Sequence, residues 1–331
     1  MKNLTIGKIR GLQQVTNPDG IFTICAIDHR GSLRSMINGE NPGEVNYATM
    51  VERKLELCSS LAQYASAVLL DPIFGATQCI SHGLLPKSTG LLVCIEAADY
   101  SGGKEHRLTK LLDDWSVEKI KRMGASAVKI LLYYRPDLKE LASQQLDTVK
   151  MVAKECIEYD IPFLVEPVSY PVGNEVSNPK KFADLKGELV IKTALEITAL
   201  SIDVLKTEFP ADLHYTTDRM ALIELCRRLD ASSRVPWVIL SAGVDFELFC
   251  QQVEIACQAG ASGFLGGRAI WQEAMRIADA GERVRYLSTV GADRLKRLTE
   301  IASKYAVPWY RKFGLTAHEL ADTSEKWYQE Y

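Results

Sequence analysis

Eight short apolar runs, set apart by polar turns and amphipathic stretches, restrict most strongly what this chain can fold into. They occupy residues 22–28, 67–71, 91–96, 127–132, 162–167, 203–208, 237–241 and 263–267. Helical patterns lie between them, at 51–64, 117–123, 145–159, 189–200, 219–229 and 246–259. Strand and helix in alternation build parallel βαβ units. Eight such units suggest a closed (β/α)8 barrel, which ordinarily takes about 250 residues. At 331 residues, the chain is expected to hold one TIM-barrel domain over about 21–275 and a helical C-terminal extension over about 276–331. The alternative, a doubly wound sheet, would favour a glycine-rich turn after the first run. The chain has Asp28-His29-Arg30-Gly31 there.

Composition narrows the class. Hydrophobic residues make up 47% and charged residues 24%, with a formal net charge of −3, as in a soluble globular protein. No basic face for nucleic acid or an anionic membrane is implied. No apolar run approaches the roughly 18 residues of a membrane span, and Met1–Thr5 lacks the apolar core of a signal peptide. A cytoplasmic location is expected. The eight cysteines form no CxxC pair, and the five histidines show no HxH or HExxH spacing. Neither a disulfide framework nor a metal site is expected.

Within this pattern a lysine stands in the middle of an apolar run, Val204-Leu205-Lys206-Thr207-Glu208. A second, Lys129, sits the same way in Ala127-Val128-Lys129-Ile130-Leu131-Leu132. Burial disfavours an ammonium, and two lysines facing one cavity would each lower the other's pKa. A neutral amine at pH 7 is a nucleophile towards carbonyls. The other runs also end in polar groups: Asp28, Asp71, Glu96, Glu166, Ser241 and Gly267-Arg268. In a barrel, catalytic groups come from these ends. The competing reading is a buried salt-bridge network of Lys206, Lys129, Glu166 and Asp28 with no chemistry.

The last two runs add an anion site. Ser241-Ala242-Gly243 and Gly266-Gly267-Arg268 each precede a helical stretch. Glycine lets backbone N–H groups approach an anion, and a helix N-terminus adds its dipole. The loops after strands seven and eight are the recurrent phosphate site of barrels. Arg268 can clamp a phosphate bidentately.

The chain resembles the class I tagatose 1,6-bisphosphate aldolases and the related sulfofructose-phosphate aldolases. The resemblance runs from about 21 to 271. It is carried by Ala26-Ile27-Asp28-His29-Arg30-Gly31, Leu69-Leu70-Asp71-Pro72, Val128-Lys129-Ile130-Leu131-Leu132-Tyr133-Tyr134 and Phe163-Leu164-Val165-Glu166. Asp203-Val204-Leu205-Lys206-Thr207-Glu208, Leu240-Ser241-Ala242-Gly243-Val244 and Gly263-Phe264-Leu265-Gly266-Gly267-Arg268 complete it.

The resemblance implies that Lys206 forms the Schiff base, that Glu166 is an acid/base, and that Asp28 and Lys129 are further catalytic positions. It implies retro-aldol cleavage of a ketose 1,6-bisphosphate, without metal or organic cofactor. Two features depart from the tagatose pattern. His29 stands where the family usually has glutamine, and Val165-Glu166-Pro167 is closer to the sulfosugar branch, so 6-deoxy-6-sulfofructose 1-phosphate remains the alternative substrate. A non-catalytic sugar-phosphate sensor is the alternative of another class. Ser241, Ala242, Gly243, Gly266, Gly267, Arg268, His29, Asp71 and Arg30 are the expected substrate contacts. Arg30 is placed at the distal anion, with Lys104 and Arg107 as rivals. The expected partner is a sugar phosphate, and a homo-oligomer, dimer or tetramer, is expected.

Overall fold

A computed structural model describes residues 4–101, 106–321 and 325–330. Ten strands are seen among them: β1 (Phe22–Ala26), β2 (Ala67–Leu70), β3 (Gly90–Cys94), β4 (Glu96–Ser101), β5 (Leu108–Leu111), β6 (Ala127–Tyr133), β7 (Phe163–Val168), β8 (Val204–Thr207), β9 (Trp237–Leu240) and β10 (Gly263–Gly266). Eight of them close into a parallel barrel in the order β1-β10-β9-β8-β7-β6-β3-β2. Each expected run supplies one barrel strand. The closing pair, β1 with β10, runs from Phe22 opposite Gly263 to Cys25 opposite Gly266. That closure excludes the doubly wound sheet.

Alternation of side chains along each strand splits the apolar residues into two sets. Phe22, Ile24, Ala26, Leu69, Leu92, Leu164, Val204, Val238 and Leu265 fill the barrel, joined at its base by Leu12, Val15 and Trp309. Cys25, Val68, Val93, Val128, Val165, Leu205 and Ile239 face outward and meet the helices.

The helices start at local signals. Asn46, Ser116, Asn178, Asp218 and Asp245 each accept a backbone N–H of the first turn from their side chains, satisfying donors that have no partner within the helix. The helices Tyr47–Leu61, Lys139–Glu158 and Pro179–Ile197 begin earlier than apolar periodicity suggests.

Two features were not expected. A helix, Ile6–Val15, precedes β1 and lays Leu12 and Val15 under the barrel. The segment after β3 forms an antiparallel hairpin of β4 and β5, not an open loop. The expected helical C-terminal extension is present, and it packs on the barrel. The helix Ala292–Tyr305 buries Leu295, Leu298 and Ala302 in the outer core and completes the ring of helices. Only the chain after it is an appendage, and Trp309 returns from there to the barrel base, donating its N–H to Gly20 O at 3.0 Å. Among the described residues no helix is long and apolar enough to cross a membrane.

Candidate active site

The inner alternation that places Ala127, Leu164 and Val204 in the core carries Lys129, Glu166 and Lys206 inward two residues later. Asp28 and Glu96 follow Ala26 and Cys94 at the same level, just past β1 and β3. The five groups form one connected chain of charge. Lys206 Nζ lies 2.8 Å from Glu166 Oε1. Lys129 Nζ lies 3.1 Å from Glu166 Oε2 and donates to Asp28 Oδ2 and Glu96 Oε1, each at 2.7 Å. Arg30 Nη2 stands 3.7 Å from the same Glu96 oxygen. Sequence reasoning left Glu96 at a strand end without a role. Its signal was the same inward parity that singled out Lys129.

Electrostatics separate the members. Burial alone would push the Asp28 carboxyl up. Lys129 and Lys206 outweigh it, with His29 adding to them, and hold Asp28 far below the usual carboxylate range. Burial would likewise lower the Lys129 ammonium, but Asp28, Glu166 and Glu96 push it well above the ordinary lysine value. The expectation that Lys129 is held down by its fellow lysine is therefore wrong: three carboxylates surround it. The His29 imidazole is lowered to about 3, chiefly by burial and against the pull of Asp28, with Arg268, Lys54 and Lys206 adding to the shift. It is a neutral ring at physiological pH. Asp28, Cys94 and Glu96 bring potential metal-ligand atoms within 4.8 Å of one another. The Lys129 ammonium already bonds both of these carboxylates.

Two adjoining cavities open on this chain. One, of about 220 Å³, is lined by Asp28, Arg30, Glu96, Lys129, Glu166 and Lys206. The other, of about 390 Å³, is lined by Ser241, Ala242, Gly267, Arg268 and Glu208. His29, Ser32, Leu131, Tyr133, Glu166 and Lys206 border both. A molecule with an anion at each end would therefore pass Lys206 midway.

Ala242 has a φ of 49° and Gly243 of 82°, two successive left-handed residues. A Cβ at Gly243 would sit 2.9 Å from the Arg268 guanidinium carbon, so glycine lets that side chain lie flat on the turn. Arg268 Nε and Arg30 Nη1 are buried with no hydrogen-bond partner, and buried donors of this kind call for one.

Some expected contacts fall elsewhere. Gly266 faces outward, where a Cβ would meet Ile270 at 2.6 Å and Phe249 at 3.2 Å, so it serves packing. Asp71 borders neither cavity. It is fully buried, 2.9 Å from Lys54 Nζ. It lies just past the end of β2 at Leu70, and its carboxylate turns to Lys54 instead of the cavity. Arg107 stacks over Tyr133 and Tyr170, at 4.6 and 5.0 Å from the ring centroids. Lys104 lies outside the described residues. Ser32 and Thr109 border the first cavity without any sequence signal.

Comparisons with known proteins agree with this geometry. Residues 22–273 match the DeoC/LacD family aldolase model. Tagatose 1,6-diphosphate aldolase of Staphylococcus aureus strain MSSA476 is 31% identical over 323 residues, covering 92% of this chain and 98% of that protein. An archaeal fructose-1,6-bisphosphate aldolase, with its catalytic lysine bound to the carbinolamine intermediate, is 19% identical. It covers 89% of this chain and 98% of its own, with a TM-score of 0.57. Fructose-bisphosphate aldolase from Plasmodium falciparum is 14% identical, covering 93% and 97%, with a TM-score of 0.65. At such identities the structural likeness is one of fold. The family match spans all eight barrel strands and the charged chain within them, and the chain belongs to the DeoC/LacD aldolase family.

Proposed function

We propose that this aldolase works through a Schiff base on Lys206 and cleaves tagatose 1,6-bisphosphate to dihydroxyacetone phosphate and glyceraldehyde 3-phosphate. The observation that carries the reading is Lys206, 4% exposed, at the junction of the two cavities with Glu166 at 2.8 Å. The Staphylococcus aureus relative is a tagatose 1,6-diphosphate aldolase, which supports the substrate.

The Lys206 amine adds to the ketone at carbon 2, and Glu166 moves the proton that lets water leave the carbinolamine. The protonated imine then serves as an electron sink. A carboxylate takes the proton of the carbon-4 hydroxyl, the bond between carbons 3 and 4 breaks, and its electron pair forms the enamine while the aldehyde departs. Protonation at carbon 3 and hydrolysis release dihydroxyacetone phosphate and restore the amine. Asp28, ionised at neutral pH, is the second base. Lys129, bonded to Asp28 and Glu96, is a fixed cation for substrate hydroxyls. Ser241, Gly267 and Arg268 take the carbon-1 phosphate, and Arg30 takes the distal one.

The test is borohydride reduction during turnover of tagatose 1,6-bisphosphate, fructose 1,6-bisphosphate and 6-deoxy-6-sulfofructose 1-phosphate in turn. The adduct is expected on the peptide carrying Lys206, with tagatose 1,6-bisphosphate cleaved with the highest kcat/KM. An adduct on Lys129 would reverse the two lysines. Faster cleavage of the sulfonate would move the chain to the sulfosugar branch. Binding without dihydroxyacetone phosphate release would make it a sensor.

A further inference from the structure

A charge is buried beneath the site and takes no part in the steps above. Lys54, on the helix Tyr47–Leu61, has no exposed surface. Its ammonium donates to Ile27 O, to His29 O at 2.6 Å, and meets Asp71 Oδ2 at 2.9 Å. Of the three oxygens around it, the two carbonyls accept hydrogen bonds and Asp71 Oδ2 makes an ion pair. Two belong to the residues on either side of Asp28. Asp71 is fixed in turn, since its Oδ1 accepts the N–H groups of Ile73 and Phe74 at 3.0 and 2.8 Å.

We propose that Lys54 is a positioning residue. By tying the carbonyls on both sides of Asp28 to one ammonium anchored on Asp71, it sets the direction in which Asp28 meets Lys129.

Several observations converge on this. Asp28 lies past the end of β1, where the barrel ladder no longer fixes the backbone. Ile27 N–H, donating to Leu69 O at 2.8 Å, is the last rung. Beyond it the turn carries three cavity-lining residues in succession, Asp28, His29 and Arg30. The Lys54 charge also helps to keep His29 neutral. Lys206 and Glu166 stand on β8 and β7 and need none of these bonds. Loss of Lys54 should therefore divide the reaction: imine formation continues, and the proton transfer that depends on Asp28 slows. A misplacement of about 1 Å can cost roughly 100-fold in rate.

The inference rests on the proposed Schiff-base reading, and the experiment separates the two. Lys54→Met with Asp71→Asn removes the buried ion pair together, leaving no unpaired charge, and the new amide oxygen can still accept from Ile73 and Phe74. This variant is expected to be folded, to trap substrate on Lys206 with borohydride as the parent does, to keep KM within about threefold, and to lose about 10- to 100-fold in kcat. In an Asp28→Asn background the same pair of changes should add less than about threefold, because Lys54 acts through Asp28. Folded protein with kcat within twofold of the parent overturns the proposal, as does a full additional loss in the Asp28→Asn background. If the double change does not fold, Asp71→Asn alone decides. It keeps the ammonium and both carbonyls, and is expected to lower kcat about threefold with KM unchanged, while unchanged kcat overturns the proposal. A parent enzyme that traps no substrate refutes the Schiff-base reading instead.

Discussion

At the scale of single residues the site is a row of charges whose protonation is set by neighbours. His29 shows the consequence for stability. Its folded-state value of about 3 lies below the roughly 6.5 of an unfolded histidine. Between those values the unfolded chain binds a proton that the folded chain does not, so stability is full above about pH 6.5 and falls as the pH is lowered. The slope cannot exceed about 1.4 kcal/mol per pH unit. His29→Gln, which places the family's usual residue there, is expected to remove that loss. Urea unfolding at pH 7 and pH 5 should show the parent losing about 1–2 kcal/mol more than the variant. Equal losses would mean that the ring protonates freely in the folded state.

The inward parity of Lys129, Glu166 and Lys206 was readable from period-2 alternation alone, because all three are on strands. Asp71 was misread because Lys54 draws it away from the cavity, and Gly266 because alternation past inward Leu265 puts it on the outward face.

At the scale of elements the β4–β5 hairpin forms one wall of the first cavity. It contributes Glu96, Ala97, Ala98 and Thr109 to the first cavity. It is held to β6 by Thr109 Oγ1 donating to Leu131 O at 3.2 Å, and by Gln145 Nε2 donating to Arg107 O at 3.0 Å and Tyr133 O at 2.9 Å. Arg107 adds a stack on Tyr133 and Tyr170, rings that emerge from the ends of β6 and β7. Cation–π contacts of this kind are worth about 0.5–1 kcal/mol each. Arg107→Ala should speed amide exchange at Leu108–Leu111 by roughly tenfold, with the global unfolding midpoint little changed. KM for the bisphosphate is expected to rise more than kcat falls. Unchanged exchange would show that Gln145 and Thr109 hold the hairpin unaided. Nothing in the sequence marked the hairpin, since the two segments that pair in it carry no strict apolar alternation.

At the scale of the molecule the two ends of the barrel do different work. The C-terminal ends of the strands carry the charged site, and the base is closed by apolar residues from outside the barrel proper. Trp309 is 1% exposed and packs beneath the strands with Leu12 and Val15, edge-on to Tyr310 and Phe313 at centroid distances of 5.7 and 6.1 Å. Trp309→Ala is expected to cost about 3–5 kcal/mol, the usual range for a large buried aromatic, with an unchanged denaturant slope and near-normal kcat at 25 °C. A loss of activity matching the loss of stability would tie the base to the site and contradict this separation.

The sequence by itself determined the barrel and the inward direction of its strand-borne charges. Eight strand-length apolar runs alternating with helices admit few closures, and a charged residue spaced two positions from an apolar inward neighbour declares its own direction. What only the tertiary structure decided was partnership. That Lys129 is raised and not lowered depends on Asp28, Glu166 and Glu96, of which Glu96 and Asp28 lie 33 and 101 residues away in the chain. That Asp71 holds Lys54 depends on a helix packing against β2. Electrostatic free energy is set by distance in space and by burial, and separation along the chain specifies neither.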